Sequence, residues 1–407
     1  MKTIGIIAEY NPLHNGHEYH LKEAKRLSGA QYAVVVMSGD YVQRGTPAIT
    51  DKYTRAKMAL EHGADLVFEL PSAYATAGAE QFAFGSISIL TRLQFVDGVC
   101  FGCETPSVHT IKQVAQTLVD QPAAYENLLQ KALQNQTSYP VARAQALTEY
   151  FSNTYQESAS EFSDFLKQPN NILAIEYQKA CLVLSSHLEL LPLTRKQSGY
   201  HSSQLTGNFA SASGLRKNFL KHKDFAQIKP FLPASAAKDL QEQYKKTFPI
   251  HENDFSGLLY YKLLQKDNWS KYGEVTEDFC QKIKKYLSPQ LQFSTLAQQL
   301  KSKDLVYTRI CRNLLHILLE IPHLAPYTEP PYVRLLGFKK GASHLLKEAK
   351  ALPIITKVAD AKKILSEDAL SQFNADLERS HLYQHICYQK YGHVCASEYA
   401  HGPVILP

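Results

Sequence analysis

The chain has 407 residues, of which 44% are hydrophobic, and its formal net charge is +6. This length suits two domains, and the hydrophobic fraction excludes a largely disordered protein. No apolar run approaches the roughly 18 residues that a membrane-spanning helix needs, so no membrane contact is expected.

The cysteines and the N-terminus both favour a cytoplasmic location. The seven cysteines are odd in number and widely scattered, which argues against a disulfide scaffold. The N-terminus leads directly into a strand-like run without the layout of a signal peptide. Cys100 and Cys103 form a C-x-x-C pair but lack a second close pair, so both are expected to be structural and no metal site is predicted. The sequence does not indicate an oligomeric state.

Charge is distributed unevenly between the halves of the chain. Residues 1–217 contain 18 Lys and Arg against 19 Asp and Glu, whereas residues 218–407 contain 26 against 19. The excess in the second half has two interpretations. It is either a set of solvated helix faces or a surface that meets a polyanion such as nucleic acid.

The first half alternates strand-like and helix-like runs. Short apolar strands are predicted at 3–8, 32–37, 65–70, 95–101 and 188–195, and helical lengths separate the first four. Residues 106–183 are predicted to be helical, and a polar loop at 196–208 precedes a helix that begins near Ser211. Near-continuous apolar strands indicate a parallel sheet that is covered on both faces. The predicted fold class is α/β, a doubly wound, Rossmann-like domain followed by a mainly helical C-terminal domain.

The second half is predicted to consist mostly of helices. They lie at 234–246, 253–268, 274–286, 304–319 and 367–390, and the proline-rich stretch 320–333 is expected to be a loop. Pro230 and Pro233 interrupt the helical pattern between the two halves of the chain. We therefore predict one domain over residues 1–225 and a basic, helical domain over residues 226–407.

The segment after the first strand carries the strongest chemical signal. His14, Gly16 and His17 form a His-x-Gly-His pattern where the first helix begins. In an open α/β sheet, ligands bind at this end of the strands. A glycine allows close approach of a ligand, and a helix N-terminus attracts phosphate. Two imidazoles there would stabilise charge that develops on a leaving pyrophosphate. The alternative is a pair of surface histidines at a helix start.

A second helix start offers partners for a triphosphate. Ser211 or Ser213 would cap the helix and bind a phosphate oxygen, and Arg216 would reach back by one turn. Together the two segments resemble the His-x-Gly-His and Ser-Ser-Thr-x-Ile-Arg signatures of the nucleotidyltransferase superfamily. The resemblance implies that residues 1–225 form a nucleotidyltransferase-like, ATP-binding catalytic domain. This chain has Ala, Ser and Leu at three positions of the second signature.

A longer series of motifs resembles one family. In chain order these are residues 9–17, Met37–Gly45, Phe101–Glu104, Pro169–Leu173, Ser211–Arg216 and Thr308–Leu315. The series is similar to the bacterial tRNA(Met) cytidine acetate ligase family. The resemblance implies that acetate reacts with ATP to give acetyl-adenylate. The acetyl group then passes to N4 of the wobble cytidine of elongator methionine tRNA. Mg²⁺ is expected to accompany the ATP.

The resemblance also implies site residues. His14, His17, Asp40 and Arg216 would be catalytic, and Arg44 would hold the acetate carboxylate. Asp40 would orient the acceptor or hold magnesium, with a helix cap as the alternative. The ATP-binding residues would be Ile7, Ala8, Glu9, Tyr10, Asn11, Pro12, Leu13, His14, Asn15, Gly16, His17, Glu18, Tyr19, His20, Gly102, Asn170, Arg195, Ser211, Ser213 and Arg216. Asn171 and Lys196 are the alternatives to Asn170 and Arg195, because each stands next to its counterpart in the sequence.

Contacts with tRNA are expected in the basic half. Arg309 and Arg312 lie on an amphipathic helix, and Lys339 and Lys340 follow in a stretch that also contains aromatic residues. The alternative is a buried helix with ordinary surface charges. For the whole chain, two other functions stay open. One is a small-molecule adenylyltransferase, and the other is a non-catalytic protein that binds a nucleotide or RNA.

Overall fold

The computed structural model describes residues 2–135, 138–195, 210–265, 268–302 and 305–407, so the polar loop predicted at 196–208 lies outside the described residues. In the first half, strands alternate with helices. The elements are β1 (Thr3–Ala8), α1 (Asn15–Ser28), β2 (Tyr32–Ser38), β3 (Tyr41–Val42), β4 (Thr46–Pro47), α2 (Lys52–Glu61), β5 (Leu66–Leu70), α3 (Ser72–Ala75), α4 (Ala79–Arg92), β6 (Gly98–Cys103), α5 (Val108–Asp120), α6 (Ala123–Gln134), α7 (Tyr139–Tyr155), α8 (Ala159–Lys167), α9 (Pro169–Val183), β7 (Glu189–Thr194) and α10 (Ala212–His222).

The second half is mainly helical, as predicted. Its elements are α11 (Ala234–Glu242), α12 (Ser256–Leu264), α13 (Glu277–Lys285), α14 (Phe293–Gln299), α15 (Tyr307–Leu319), β8 (Val333–Lys339), β9 (Ile354–Ile355), α16 (Ala361–Ile364), α17 (Glu367–Tyr391) and β10 (Val404–Leu406). Within the described ranges, no helix is both long and apolar enough to cross a membrane.

The central sheet has the strand order β10-β8-β5-β2-β1-β6-β7. Strands β5, β2, β1, β6 and β7 are parallel, which confirms the predicted doubly wound arrangement. The chain proceeds outward from β1 through β2 and β5, and then returns to place β6 on the other side of β1. The carboxyl ends of β1 and β6 therefore flank the point where the strand order reverses, which is the usual ligand crevice of such sheets.

Alternating side chains give the sheet a core on each face. Val34 and Val36 of β2 pack into one cluster with α4, α5 and α9, whereas Val35 and Met37 pack into a second cluster with α1, α2 and α10. This alternation follows from the two-residue period of a strand. Both faces are covered, so the strands are apolar almost without interruption.

The second half also completes the sheet, which the sequence analysis did not predict. Strand β8 pairs antiparallel with β5, and β9 and β10 both pair parallel with β8. Helix α11 joins the core cluster of α1 and α2. A boundary at residue 225 therefore coincides neither with an edge of the sheet nor with a gap in the core. A separate apolar cluster unites α12–α15 with α17.

Candidate active site

The loop after β1 places two histidines at the N-terminus of α1. His14 is the N-cap, and its Nδ1 accepts a hydrogen bond from the Gly16 backbone N–H at 3.0 Å. The Nδ1 of His17 accepts one from the His14 backbone N–H at 3.3 Å. The two rings are stacked, with centroids 3.7 Å apart. Because each Nδ1 is an acceptor, each neutral ring carries its proton on Nε2. The pair therefore offers two Nε2–H donors.

The environment keeps these rings uncharged. Burial, with help from Arg195 and Arg216, lowers the pKa of His14 to about 3. The pKa of His17 is well below its usual value, chiefly because of burial and the neighbouring His14. Burial and Arg195 lower the pKa of His20 to about 4. At neutral pH the rings are therefore hydrogen-bond donors without a positive charge.

The N-terminus of α10 meets this same loop. Ser211 is the N-cap, and its Oγ accepts from the Gly214 backbone N–H at 3.1 Å. Arg216 donates from Nη1 to the Asn11 carbonyl oxygen at 2.5 Å and from Nη2 to Ser213 Oγ at 3.3 Å. The two segments that the sequence singled out thus converge in space, and Arg216 connects them directly.

The loop between β3 and β4 adds a second cation on one side of Arg216. Burial lowers the pKa of Arg216 to about 10, while Glu9 raises it and Arg44 lowers it. Arg216 therefore stays cationic at neutral pH. The Glu9 carboxylate fixes this hairpin, because its Oε1 accepts from the Gln43 backbone N–H at 3.0 Å. Arg44 is exposed at the turn of the hairpin.

The end of β6 contributes the opposite side of the site. A Cβ at Gly102 would lie 3.1 Å from Cγ of Arg195, so the arginine side chain lies over the glycine backbone. Asn170 accepts from Arg195 Nη1 at 3.0 Å and donates to Glu104 Oε1 at 2.6 Å. Asn171 is buried and its Oδ1 accepts from the Glu104 backbone N–H at 3.2 Å. Asn170, not Asn171, is therefore the residue that lies beside Arg195.

Asp40 contacts a different set of groups. Its Oδ1 accepts from the Lys52 backbone N–H at 3.2 Å, at the start of α2, and its Oδ2 lies 3.5 Å from Lys52 Nζ. The same ammonium group lies 3.0 Å from Glu69 and 3.2 Å from Glu398. Asp40 thus belongs to a buried ion network that ties the C-terminal segment to the sheet. These contacts favour the helix-cap interpretation over binding of an acceptor or magnesium.

Several residues of the 7–20 segment have structural contacts of their own. Glu18 Oε1 accepts from Lys22 Nζ at 2.8 Å and lies 3.3 Å from His62 Nδ1. Asn15 Nδ2 donates to the Pro230 carbonyl oxygen at 3.1 Å. The contact of these two side chains with ATP stays a prediction.

Arg55 is a site residue that sequence reasoning missed. It is fully buried on α2, and its guanidinium donates to the carbonyl oxygens of Glu9 at 2.8 Å, Ser38 at 2.9 Å and Thr50 at 3.1 Å. It therefore holds the carboxyl ends of β1 and β2 together beneath the nucleotide loop. Nothing in its local sequence distinguishes it from a surface arginine of an amphipathic helix.

Helix α15 is largely buried, but its N-terminal part lies beside the hairpin. A Cβ at Gly45 would lie 2.2 Å from the backbone N of Arg312, so the hairpin turn rests on the helix backbone. Arg309 pairs with Glu274 at 3.5 Å, and the pKa of Arg312 is lowered by burial. His316, one turn after Arg312, is buried, and its Nε2 lies 3.0 Å from the Thr76 carbonyl oxygen.

Lys339 and Lys340 do not lie with Arg309 and Arg312. Lys339 ends β8, and its backbone N–H donates to the Asp65 carbonyl oxygen at 2.9 Å, just before β5 begins. Because β8 is antiparallel to β5, this point lies at the amino ends of the parallel strands, opposite the histidines. Lys339 therefore lies away from the histidine end of the sheet, and the contact of these four cations with tRNA stays a prediction. Lys339 is the last residue of this sheet strand, and Lys340 begins the short 3-10 helix that follows it.

The thiols support the structural interpretation of the C-x-x-C pair. Cys100 and Cys103 are both buried and free, and burial raises the pKa of each to about 12. Across the described ranges, no three His, Cys, Asp or Glu side chains cluster in a way that could hold a metal ion.

The fold and the site define a class of enzyme. Two imidazoles at the entrance of α1, with a second helix N-terminus and its arginine facing them, lie at the reversal point of a doubly wound sheet. The sequence model of the family described as HIGH Nucleotidyl Transferase matches residues 1–397. The chain is therefore a HIGH nucleotidyltransferase.

Individual relatives define the family within that class. The chain is 38% identical over 389 residues to the tRNA(Met) cytidine acetate ligase of Caldanaerobacter subterraneus subsp. tengcongensis, covering 94% of this chain and 95% of the relative. It is 37% identical to the enzyme of the same name from Clostridium novyi, covering 88% and 90%. The chain belongs to the tRNA(Met) cytidine acetate ligase family.

Solved structures agree with this assignment. Apo TmcAL of Thermotoga maritima superposes with a TM-score of 0.93 at 28% identity, and the match covers 100% of both chains. The same protein bound with alpha-thio ATP gives a TM-score of 0.91, again at 28% identity and with 100% of both chains covered.

Proposed function

We propose that this chain is an ATP-dependent ligase that acetylates N4 of the wobble cytidine of elongator methionine tRNA. The observation that carries the proposal is the convergence of His14, His17 and Arg216 on the loop after β1. The names of the relatives support the same substrate. We place the reaction in the cytoplasm, where ATP and tRNA occur together.

In the first step, acetate attacks the α-phosphorus of ATP and pyrophosphate leaves. Negative charge then grows on the leaving phosphate oxygens. The Nε2–H groups of His14 and His17 would donate to these oxygens, and the fixed cation of Arg216 would attract them. The donors are already oriented by their Nδ1 bonds, so little reorganisation accompanies the reaction.

The remaining residues supply the binding determinants. Gly102, Asn170 and Arg195 would contact the nucleotide on the β6 side, and Ser211 and Ser213 would bind phosphate oxygens at the start of α10. Mg²⁺ would enter with the polyphosphate and neutralise part of its charge.

The acetate carboxylate would bind at the hairpin. Arg44 lies at the exposed turn, and its charge adds to that of Arg216. An arginine suits a carboxylate because its planar donors match the two oxygens. The hairpin rests on α15, so a surface that includes Arg309 and Arg312 continues from the acetate position into the second half of the chain. We therefore confine the proposed tRNA contact to Arg309 and Arg312.

The test uses labelled acetate. The full chain is incubated with radiolabelled acetate, ATP, Mg²⁺ and a transcript of elongator methionine tRNA. The matched control is the same transcript with uridine at the wobble position. The proposal predicts ATP-dependent, acid-insoluble label on the cytidine transcript alone. Label on both transcripts, or on neither, would contradict it.

A further inference from the structure

The second step of the proposed reaction needs an acceptor for a proton. When the cytidine amine attacks the acetyl carbonyl, its nitrogen acquires positive charge and must lose a proton. We propose that the Glu9 carboxylate is the general base that accepts this proton. The inference rests on the proposed function, and it gives Glu9 a role in the transfer step rather than in nucleotide binding.

The histidines are poorly placed for this task. Nδ1 of His14 and Nδ1 of His17 each accept a backbone N–H, and each Nε2 carries the ring proton. Neither neutral ring keeps a free lone pair with which to accept a proton. Accepting one would break the hydrogen bonds that cap α1.

Two other carboxylates near the loop, those of Asp40 and Glu104, are occupied. Asp40 is bound to Lys52 inside the ion network. Both oxygens of Glu104 accept hydrogen bonds, Oε1 from the Asn170 amide at 2.6 Å and Oε2 from the Asn171 backbone N–H at 3.1 Å. These groups serve as structural acceptors.

Glu9 differs from them in its position and in the number of hydrogen bonds that its carboxylate accepts. It follows the last residue of β1, and its main chain is held because Arg55 donates to its carbonyl oxygen at 2.8 Å. Its side chain is directed toward the hairpin by the 3.0 Å bond from the Gln43 N–H to Oε1. From the described parts of the chain, no hydrogen bond reaches Oε2. The residue is only partly buried, so this oxygen can meet a substrate.

The neighbours of Glu9 are the groups that the reaction uses. The Glu9 carboxylate raises the pKa of Arg216, which is hydrogen-bonded to the loop after β1, whereas Arg44 lowers it. Glu9 is also hydrogen-bonded to the hairpin that carries Arg44, so its carboxylate lies at the same end of the sheet as the proposed acetate position. An amine that attacks the acetyl group must approach this same space.

The transfer step replaces the acyl phosphate bond of acetyl-adenylate by an amide bond. The lone pair of cytidine N4 forms a bond to the acetyl carbonyl carbon, and the bond from that carbon to the AMP phosphate oxygen breaks. The electron pair leaves with AMP. One N4 proton passes to Oε2 of Glu9 and then to solvent, which leaves N4-acetylcytidine, AMP and a regenerated carboxylate.

The test separates the two half-reactions. Glu9→Gln keeps an oxygen that accepts from Gln43 but lacks a basic carboxylate. Acetate-dependent ATP–pyrophosphate exchange measures activation, and single-turnover labelling at saturating tRNA measures transfer. We expect exchange within a few-fold of the unaltered chain and transfer slower by about 10²-fold or more. Glu61→Gln, on the exposed side of α2, is the matched control and should change neither rate.

A small nucleophile provides a second readout. Hydroxylamine captures acetyl-adenylate without needing a base, so Glu9→Gln should form acetohydroxamate at the rate of the unaltered chain. Transfer to tRNA at a normal rate by Glu9→Gln would overturn the inference. Parallel loss of exchange, hydroxamate and transfer would also overturn it, because Glu9 would then act in the activation step. Absence of exchange in the unaltered chain would instead refute the proposed function itself.

Discussion

Replacing His14 by asparagine separates catalysis from stability. The Nδ1 of His14 caps α1 by accepting from Gly16 N–H at 3.0 Å. Asparagine is among the best N-cap residues, and its side-chain oxygen can take over this bond. His14→Asn should therefore change the free energy of unfolding by less than about 1 kcal/mol. What it removes is the Nε2–H donor.

The catalytic loss follows from that single donor. Removing one donor that faces developing oxyanion charge typically costs about 2.7–4 kcal/mol, or roughly 10²–10³ in kcat. The assay is acetate-dependent ATP–pyrophosphate exchange at saturating ATP, with urea unfolding measured in parallel. His323→Asn is the control, because this exposed histidine contacts only the Gly273 carbonyl among the hydrogen bonds described. Exchange at a near-normal rate by His14→Asn would refute the assigned role.

Three further predictions test other parts of the account. The pKa of His14 is about 3 in the folded chain against a usual 6.5, so its contribution to stability is present above pH 6.5 and is lost as the pH falls toward 3. Between pH 8 and pH 5, the unaltered chain should lose about 2 kcal/mol more unfolding free energy than His14→Asn does. Urea unfolding at the two pH values measures this difference. Arg312→Ala should weaken tRNA binding and make its salt dependence shallower by about 0.7–0.9 in log–log slope, whereas Lys339→Ala should change neither in a filter-binding titration. Gly45→Ala should lower the unfolding free energy by roughly 2 kcal/mol more than Gly29→Ala, because both residues have positive φ but only Gly45 packs on a helix backbone.

The first half of the fold was largely predictable because its signals are local. Apolar strands of five to seven residues, separated by helical lengths, identify a parallel sheet without knowledge of tertiary contacts. The His14–His17 motif could be located for the same reason, since it lies where one strand ends and one helix begins. Ser211 and Arg216 were also recognisable, because helix capping leaves a sequence signature.

Long-range pairing was not predictable. Strand β8 pairs with β5 although more than 260 residues separate the two strands in the sequence. The cations Arg334 and Lys339 also interrupt the apolar pattern by which a strand is recognised. Arg334 is buried because Glu398 and Tyr53, both distant in sequence, provide its partners. The stretch therefore resembled a cationic surface although it lies in the sheet.

The same limitation explains what was missed at the site. Arg55 is a site residue only because four carbonyl groups from three separate segments surround it. Asp40 appeared free to bind an acceptor because its partner Lys52 belongs to the next helix. The choice between Asn170 and Asn171 also required the structure, since both lie in the first turn of α9.

The central claim is that acetate is activated by joining its oxygen to the α-phosphorus of ATP. Acetate labelled with ¹⁸O in both carboxylate oxygens tests it directly, with the full chain, ATP and elongator methionine tRNA, and with mass spectrometry of the products. The account predicts one ¹⁸O in the AMP released and one in the N4-acetyl group of the cytidine. AMP without ¹⁸O, accompanied by an acetylated tRNA, would show that acetyl-adenylate is not the intermediate.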